Sequence, residues 1–161
     1  FIGTDGLDAP DPPTAITPTV GVGTVSIAFT APTDAGTSAI TGFVAQVSTD
    51  GTDYSTGSNT GTSSPIVVSD LSSAASTAKV WAINAYGTSA PSVASASFTP
   101  AAARAIFAGG DVSGQRNDIR YFTLASTGNT TDFGNLSAVR SSIGDSGASS
   151  TRGIFAGGRN S

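Results

Sequence analysis

The acidic side chains are the first candidates for chemistry, because all eleven are aspartates and the chain has no histidine or cysteine. This composition excludes imidazole bases, thiol nucleophiles and Cys/His zinc sites. The runs Asp5–Asp8 and Asp50–Asp53 lack the spacing of a calcium loop, and each contains Asp-Gly, a common tight-turn dipeptide. A glycosidase would need two carboxylates facing each other across a cleft, whereas these aspartates fall in expected turns and linkers. We therefore predict a non-catalytic chain with no metal site and no cofactor.

Three aromatic side chains, Trp81, Tyr86 and Tyr54, are the candidate binding residues. Exposed aromatic rings stack on sugar faces and anchor protein interfaces. The alternating strand 78–83 places Trp81 and Lys79 on the face opposite its small apolar residues. The alternative is that Trp81 covers its own sheet or packs against the next module, and the sequence leaves both open.

The composition narrows the classes of partner. Charged residues make up 11% of the chain, and 11 acidic against 7 basic side chains give a net charge of −4. Nucleic-acid binding needs a clustered basic face that releases counterions, and this sequence has none. No run of about 18 apolar residues occurs, so we expect no membrane insertion.

Alternating apolar and polar residues between positions 14 and 100 predict short β-strands. The clearest runs are 25–29, 40–47, 65–68, 78–83 and 93–98. Turn residues separate these runs at 33–36, 49–51, 57–59 and 84–91. No stretch has the spacing of an amphipathic helix, so the predicted class is all-β.

A joint pattern extends over residues 10–100. It consists of Pro13, Val25–Pro32, Ile40–Phe43, Leu71 and Ala82–Ser92. With this pattern the segment resembles a fibronectin type III module, of the compact, threonine-rich kind found in bacterial and phage surface proteins. The resemblance implies an Ig-like β-sandwich in which Phe29 and Phe43 take the core positions of the usual strand B tryptophan and strand C aromatic. The tyrosine corner is missing, because Ser76 or Thr77 stands in its place.

A seven-residue sequence occurs twice, almost unchanged, in the last third of the chain, as Arg104–Gly110 and, 48 positions later, as Arg152–Gly158, with Ala105 replaced by Gly153. A period of about 50 residues with short strands and a double glycine is typical of β-propeller arrays. We expect a polar turn at 111–118 and a strand at 119–125. The segment 101–161 thus resembles a kelch-like repeat, comprising one blade and the start of a second, and it is expected to be truncated from a longer array.

Two further features refine this second resemblance. Phe133 stands where kelch motifs usually carry tryptophan, and the tract 125–136 resembles repeats of tail-fibre and other structural proteins of phages, especially those of cyanobacteria. The predicted organisation is a linker at 1–13, a fibronectin type III-like sandwich at 14–100 and the kelch-like repeat at 101–161, with almost no spacer between the last two.

The resemblances imply a non-catalytic structural and display protein of a virion, located in a tail fibre, baseplate appendage or capsid fibre of a phage. It would serve as a spacer and in multivalent attachment to the host surface. The implied partners are other virion proteins, copies of itself in a homo-oligomer, and a host glycan or protein. The alternative is a secreted bacterial adhesin, or a non-catalytic accessory module of an extracellular polysaccharide-active enzyme. A catalytic site in a completed propeller is a third possibility, although this segment lacks the His and Cys that copper chemistry of the galactose-oxidase type requires.

Overall fold

The computed structural model describes residues 6–108, 116–123, 129, 131–140, 146–148 and 153–155. The chain divides into two compact units, Phe1–Ala101 and Ala102–Ser161. Every helix or strand assigned in these ranges is a β-strand, which confirms the all-β class. None of the described residues forms a helix with the length and apolar character needed to cross a membrane.

The first unit is built from two antiparallel sheets. One has the order β1-β2-β5, with β1 at Thr14–Gly21, β2 at Thr24–Thr30 and β5 at Ile66–Val68. The other has the order β4-β3-β6-β7, with β3 at Ile40–Ser48, β4 at Gly57–Gly61, β6 at Thr77–Asn84 and β7 at Gly87–Thr88. The predicted turn at 57–59 is wrong, because these residues begin β4.

Alternate side chains of both sheets meet in one core, as the period of two predicts. Val25 and Ile27 are fully buried on β2. Phe29 and Phe43 are also buried, with ring centroids 4.8 Å apart and ring planes inclined by 55°. The two positions assigned to the aromatic core are therefore confirmed. The rest of the core consists of Ala45, Val47, Ile66, Val68, Leu71, Ala78, Val80, Ala82 and Phe98.

The segment that follows β7 is not the strand predicted at 93–98. Its buried side chains recur every third residue, at Ser89, Ser92, Ser95 and Phe98, instead of every second. We call the three serines the serine ladder. Their N–H groups donate to the carbonyls of alternate residues of β6 at 2.8–3.0 Å, and their Oγ atoms accept from the N–H groups of the same residues at 2.9–3.0 Å. These residues of β6 are Ala82, Val80 and Ala78 respectively.

Phe98, three residues after the serine ladder, is attached to the residue just before β6. Ser76 and Phe98 exchange two backbone hydrogen bonds of 2.8 and 2.9 Å. Ser76 is one of the two residues that stand in place of the missing corner tyrosine. Backbone pairing therefore ties the chain together at this position.

The chain enters the first unit through residues that are hydrogen-bonded to it. The N–H of Asp11 donates to the carbonyl of Asp34, and the N–H of Thr37 donates to the carbonyl of Asp8. The side-chain amide of Asn84 also donates to the Asp8 carbonyl, at 2.8 Å. Within the segment predicted as a linker, the part from Asp8 onward is thus held against the sandwich.

The chain leaves the first unit at an equally fixed point. The N–H of Ala101 donates to the carbonyl of Gly21, and the carbonyl of Ala101 accepts from the N–H of Gly23. Pro100 is fully buried. The attached segment ends three residues before the next strand begins at Arg104.

The described strands of the second unit form two small antiparallel sheets. β8 (Arg104–Ala108), β9 (Arg116–Thr123) and β10 (Thr131–Arg140) form a sheet in the order β10-β9-β8. β11 (Ser146–Ala148) pairs with β12 (Gly153–Phe155). Both copies of the repeated heptad thus contribute a strand, in β8 and in β12.

The structure revises the turn predicted at 111–118. Its last three residues belong to β9, whose register pairs Asp118 with Asn135 of β10. The first five residues of that turn lie outside the described residues, as do both double glycines of the heptad. The strand predicted at 119–125 is confirmed over 119–123, and its last two residues lie outside the described residues.

Candidate functional site

The outer face of β6 carries the candidate binding residues. Ala78, Val80 and Ala82 are fully buried, so Lys79 and Trp81 lie on the opposite face, as the alternation predicts. Both are partly exposed. This face is the surface of the four-stranded sheet that points away from the core.

Neighbouring strands supply uncharged side chains to the same face. In the antiparallel register Val44 of β3 is opposite Trp81, and Gln46 is opposite Lys79. Thr60 of β4 is opposite Val44, and Ser58 is opposite Gln46. Directly opposed residues share a face, so two rows cross the sheet, Thr60-Val44-Trp81 and Ser58-Gln46-Lys79. These rows combine an apolar strip with hydroxyl and amide groups.

Tyr54 reaches this face from the connection between β3 and β4. Its hydroxyl lies 3.1 Å from Oγ1 of Thr77, at the start of β6. The ammonium of Lys79 lies 4.5 Å from the centroid of the Tyr54 ring, within cation–π distance. The rings of Tyr54 and Trp81 meet edge to face, with centroids 6.4 Å apart and planes inclined by 74°. We call Tyr54, Lys79 and Trp81 the aromatic cluster.

A turn centred on Asp50 fixes the connection from which Tyr54 projects. Oδ1 of Asp50 accepts hydrogen bonds from the N–H groups of Thr52 and Asp53 and from the Ser48 hydroxyl, each at 2.8 Å. Gly51 takes a φ of +77°, in the left-handed region that glycine tolerates best. These donors, first the two backbone amides and then Ser48, hold the pKa of the Asp50 carboxyl well below its usual range. At neutral pH the turn is therefore closed around an ionised carboxylate.

Tyr86 lies apart from the aromatic cluster, in the turn between β6 and β7. Half of its surface is exposed (50%). The side-chain oxygen of Asn84 accepts from the N–H groups of Tyr86 and Gly87 at 2.8 and 3.0 Å. This turn follows the end of β6, whereas Tyr54 is attached at the start of that strand. Of the three predicted binding residues, the structure brings Tyr54 and Trp81 together and places Tyr86 elsewhere.

The charge distribution sets the cluster apart from its surroundings. Residues 1–103 contain seven aspartates and one basic residue, Lys79, which gives this part of the chain a net charge of −6. Its one cation is thus in the aromatic cluster. Within the described ranges, no three acidic side chains come close enough together to hold a metal ion.

Comparisons with known proteins find the fold and leave the activity open. No protein-family model matches the chain, and no curated protein matches it. Among solved structures, a crystal structure of titin domains matches with a TM-score of 0.52 and 23% identity, over 58% of this chain and 32% of that one. The titin kinase with its flanking domains gives 0.51 and 16%, over 72% and 28%. The FN1–FN3 domains of chicken CNTN1 give 0.52 and 20%, over 73% and 42%.

These likenesses establish the architecture of the first unit. The two sheets, their shared core and these solved structures show that the fold is a fibronectin type III-like β-sandwich. The chain spans less than half the length of each of these structures.

Proposed function

We propose that this chain is a non-catalytic structural and display protein of a virion, belonging to a tail fibre, baseplate appendage or capsid fibre of a phage. The sandwich acts as a spacer that carries a binding face, and the kelch-like repeat follows it. Many copies on one particle turn weak contacts with the host surface into stable attachment. The chain associates with copies of itself and with other virion proteins.

The observation that supports a spacer most directly is where the chain is attached as it enters and leaves the sandwich. The entering segment is bonded to Asp34 and Thr37, in the connection after β2. The leaving segment is bonded to Gly21 and Gly23, just before β2. The seven residues of β2 separate these points by about 23 Å at ~3.3 Å per residue. A chain that enters at one pole and leaves at the other extends the polypeptide along the axis of the module.

Support for attachment comes from the aromatic cluster on the outer sheet face. Partly exposed aromatic rings that are held in place lose little conformational freedom when they bind a ligand. The turn at Asp50 and the hydroxyl bond to Thr77 hold Tyr54 in this way. The virion setting has separate support, the resemblance of the repeat tract to phage structural proteins.

Mass spectrometry of purified phage particles tests the setting. Trypsin should release two diagnostic peptides, Val80–Arg104 from the sandwich and Tyr121–Arg140 from the repeat. We expect both in the particle, together with capsid or tail proteins, and immunogold labelling should place the chain on a fibre or appendage. If both peptides come only from a protein of the culture medium that also contains a catalytic domain, the virion proposal is wrong. The secreted accessory module then replaces it.

The attachment function has its own test. Streptavidin beads carrying many copies of the full chain, each biotinylated at its N-terminus so that Lys79 stays unmodified, should hold host cells through washing, whereas the free chain at equal concentration should be washed off the cells. Beads carrying Tyr86→Ala serve as the matched control for beads carrying Tyr54→Ala, since Tyr86 lies outside the aromatic cluster. Equal retention by all three proteins would show that the cluster is not the contact surface.

A further inference from the structure

We infer that the aromatic cluster binds a neutral hexopyranose unit of a polysaccharide. This inference rests on the proposed attachment function and names the ligand of that site. It is based on two aromatic rings at nearly a right angle that lie beside rows of uncharged hydrogen-bonding side chains. The rest of the sandwich is acidic.

The two rings fit the shape of a pyranose. Their planes are inclined by 74° with centroids 6.4 Å apart, so they meet edge to face and not as a stacked pair. A pyranose has one face lined with C–H groups, which packs on the face of an aromatic ring. A sugar that packs on the face of one ring would have the second ring beside the sugar's edge.

The rows beside the rings offer hydrogen bonds without charge. Gln46 presents an amide, and Ser58 and Thr60 present hydroxyl groups, in register with Lys79 and Trp81. Amides and hydroxyls both donate and accept, as sugar hydroxyls also do. The Lys79 ammonium already lies over the Tyr54 ring, yet as a three-proton donor it can also bond a sugar hydroxyl.

The net charge of the sandwich favours one class of ligand for the aromatic cluster. Residues 1–103 carry −6, and two of the seven aspartates, Asp50 and Asp53, lie in the same connection as Tyr54. At this face, repulsion by the negative field disfavours an acidic polysaccharide and a second copy of the same sandwich. A neutral, hydroxyl-rich polymer meets no such barrier.

The chain offers a built-in reporter, because Trp81 is its only tryptophan. We would titrate the full chain with neutral gluco-, manno- and galacto-configured hexasaccharides and with hexagalacturonate while recording Trp81 emission. At least one neutral sugar should give a saturable change below about 10 mM, bound at least about tenfold more tightly than hexagalacturonate. No saturable change with any neutral sugar, or tighter binding of hexagalacturonate than of every neutral sugar, would overturn the inference.

Variants locate the site while leaving the reporter in place. Tyr54→Ala should weaken binding at least about fivefold, and Tyr54→Phe should keep most of it because the ring remains. Tyr86→Ala, an exposed aromatic outside the cluster, should bind as the wild type does. Urea unfolding of each variant confirms that it is folded. Equal losses for Tyr54→Ala and Tyr86→Ala would also refute the assignment.

The mass-spectrometry test of the virion setting and the sugar titration can each fail without the other. Peptides found in the particle, with no response to neutral sugars, would remove the ligand class and keep the virion setting. Sugar binding by a chain that is absent from particles would do the reverse.

Discussion

Replacing Ser92 by alanine tests the packing of the sandwich most directly. Oγ of Ser92 accepts a hydrogen bond from the N–H of Val80 at 3.0 Å and donates to the carbonyl of Val93 at 3.0 Å. Val80 is fully buried, and Ser92 is 4% exposed. The substitution leaves the bond from the N–H of Ser92 to the Val80 carbonyl in place, so it removes the side-chain part of the contact alone.

The expected cost follows from the group that is left behind. Without Oγ the buried N–H of Val80 loses its acceptor, and an unsatisfied buried donor costs about 1–3 kcal/mol. Only one small polar group is deleted, so a cavity adds little. Ser97 provides the matched control, because it is an exposed serine in the same segment. Ser97→Ala should change the free energy of unfolding by less than about 0.5 kcal/mol.

Urea unfolding of the full chain measures both values. Trp81 follows Val80 on β6 and is the single tryptophan, so its emission reports on the strand that loses the bond. Faster hydrogen exchange at the Val80 amide, relative to its neighbours, should accompany the loss of stability. Equal effects of Ser92→Ala and Ser97→Ala, with unchanged exchange at Val80, would refute the role of the serine ladder.

Three other perturbations probe separate features of the sandwich. Phe29→Ala should lower the free energy of unfolding by about 3–5 kcal/mol because the ring is core, and a near-neutral result in urea would contradict the β2 register. Gly36→Ala should cost more than Gly51→Ala in the same assay: both glycines have positive φ, but a Cβ at Gly36 would collide with the backbone carbonyl of Asp8, whereas Gly51 has open space. Because folding lowers the Asp50 pKa, its stabilisation is complete above about pH 4 and is lost as the pH falls towards the folded-state value. Unfolding of the wild type and Asp50→Asn between about pH 2 and 6 should show a stability difference that shrinks on acidification, and a constant difference would refute this role.

The core strands could be predicted because their own residues determine their position. Along β2, β3 and β6, buried apolar residues alternate with more exposed ones, which fixes both the strand and its buried face. β4 escaped prediction, because Gly57, Ser58 and Asn59 are typical turn residues and pairing with β3 makes them a strand. Tertiary context overrides weak local preference in such a segment.

The period of two that the sequence predicts for the segment after β7 is wrong. Val93 and Phe98 suggested an ordinary strand, yet Val93 is 87% exposed. The three-residue spacing of Ser89, Ser92 and Ser95 is visible in the sequence. Its meaning depends on the N–H groups of β6, whose need for acceptors cannot be read from the segment itself.

The candidate site could be anticipated only in part. Alternation along β6 correctly placed Trp81 and Lys79 on the outer face. The contact of Tyr54 with Trp81 joins residues from a connection and a distant strand, so it depends on the turn that Asp50 closes. Aromatic content alone could not separate Tyr86 from the other two.

The serine ladder also determines how the four-stranded sheet ends. The ladder segment uses three residues for every two residues of β6 that it contacts. The N–H and C=O groups of the ladder segment therefore do not repeat at the spacing that another strand needs for pairing. Pro91, within the same segment, has no N–H to offer. Exposed regular edges recruit strands from neighbouring molecules. Closed in this way beside β6, the sandwich offers a neighbouring copy no regular strand edge there, so the crowding proposed for copies on one particle would not join their sheets at this edge.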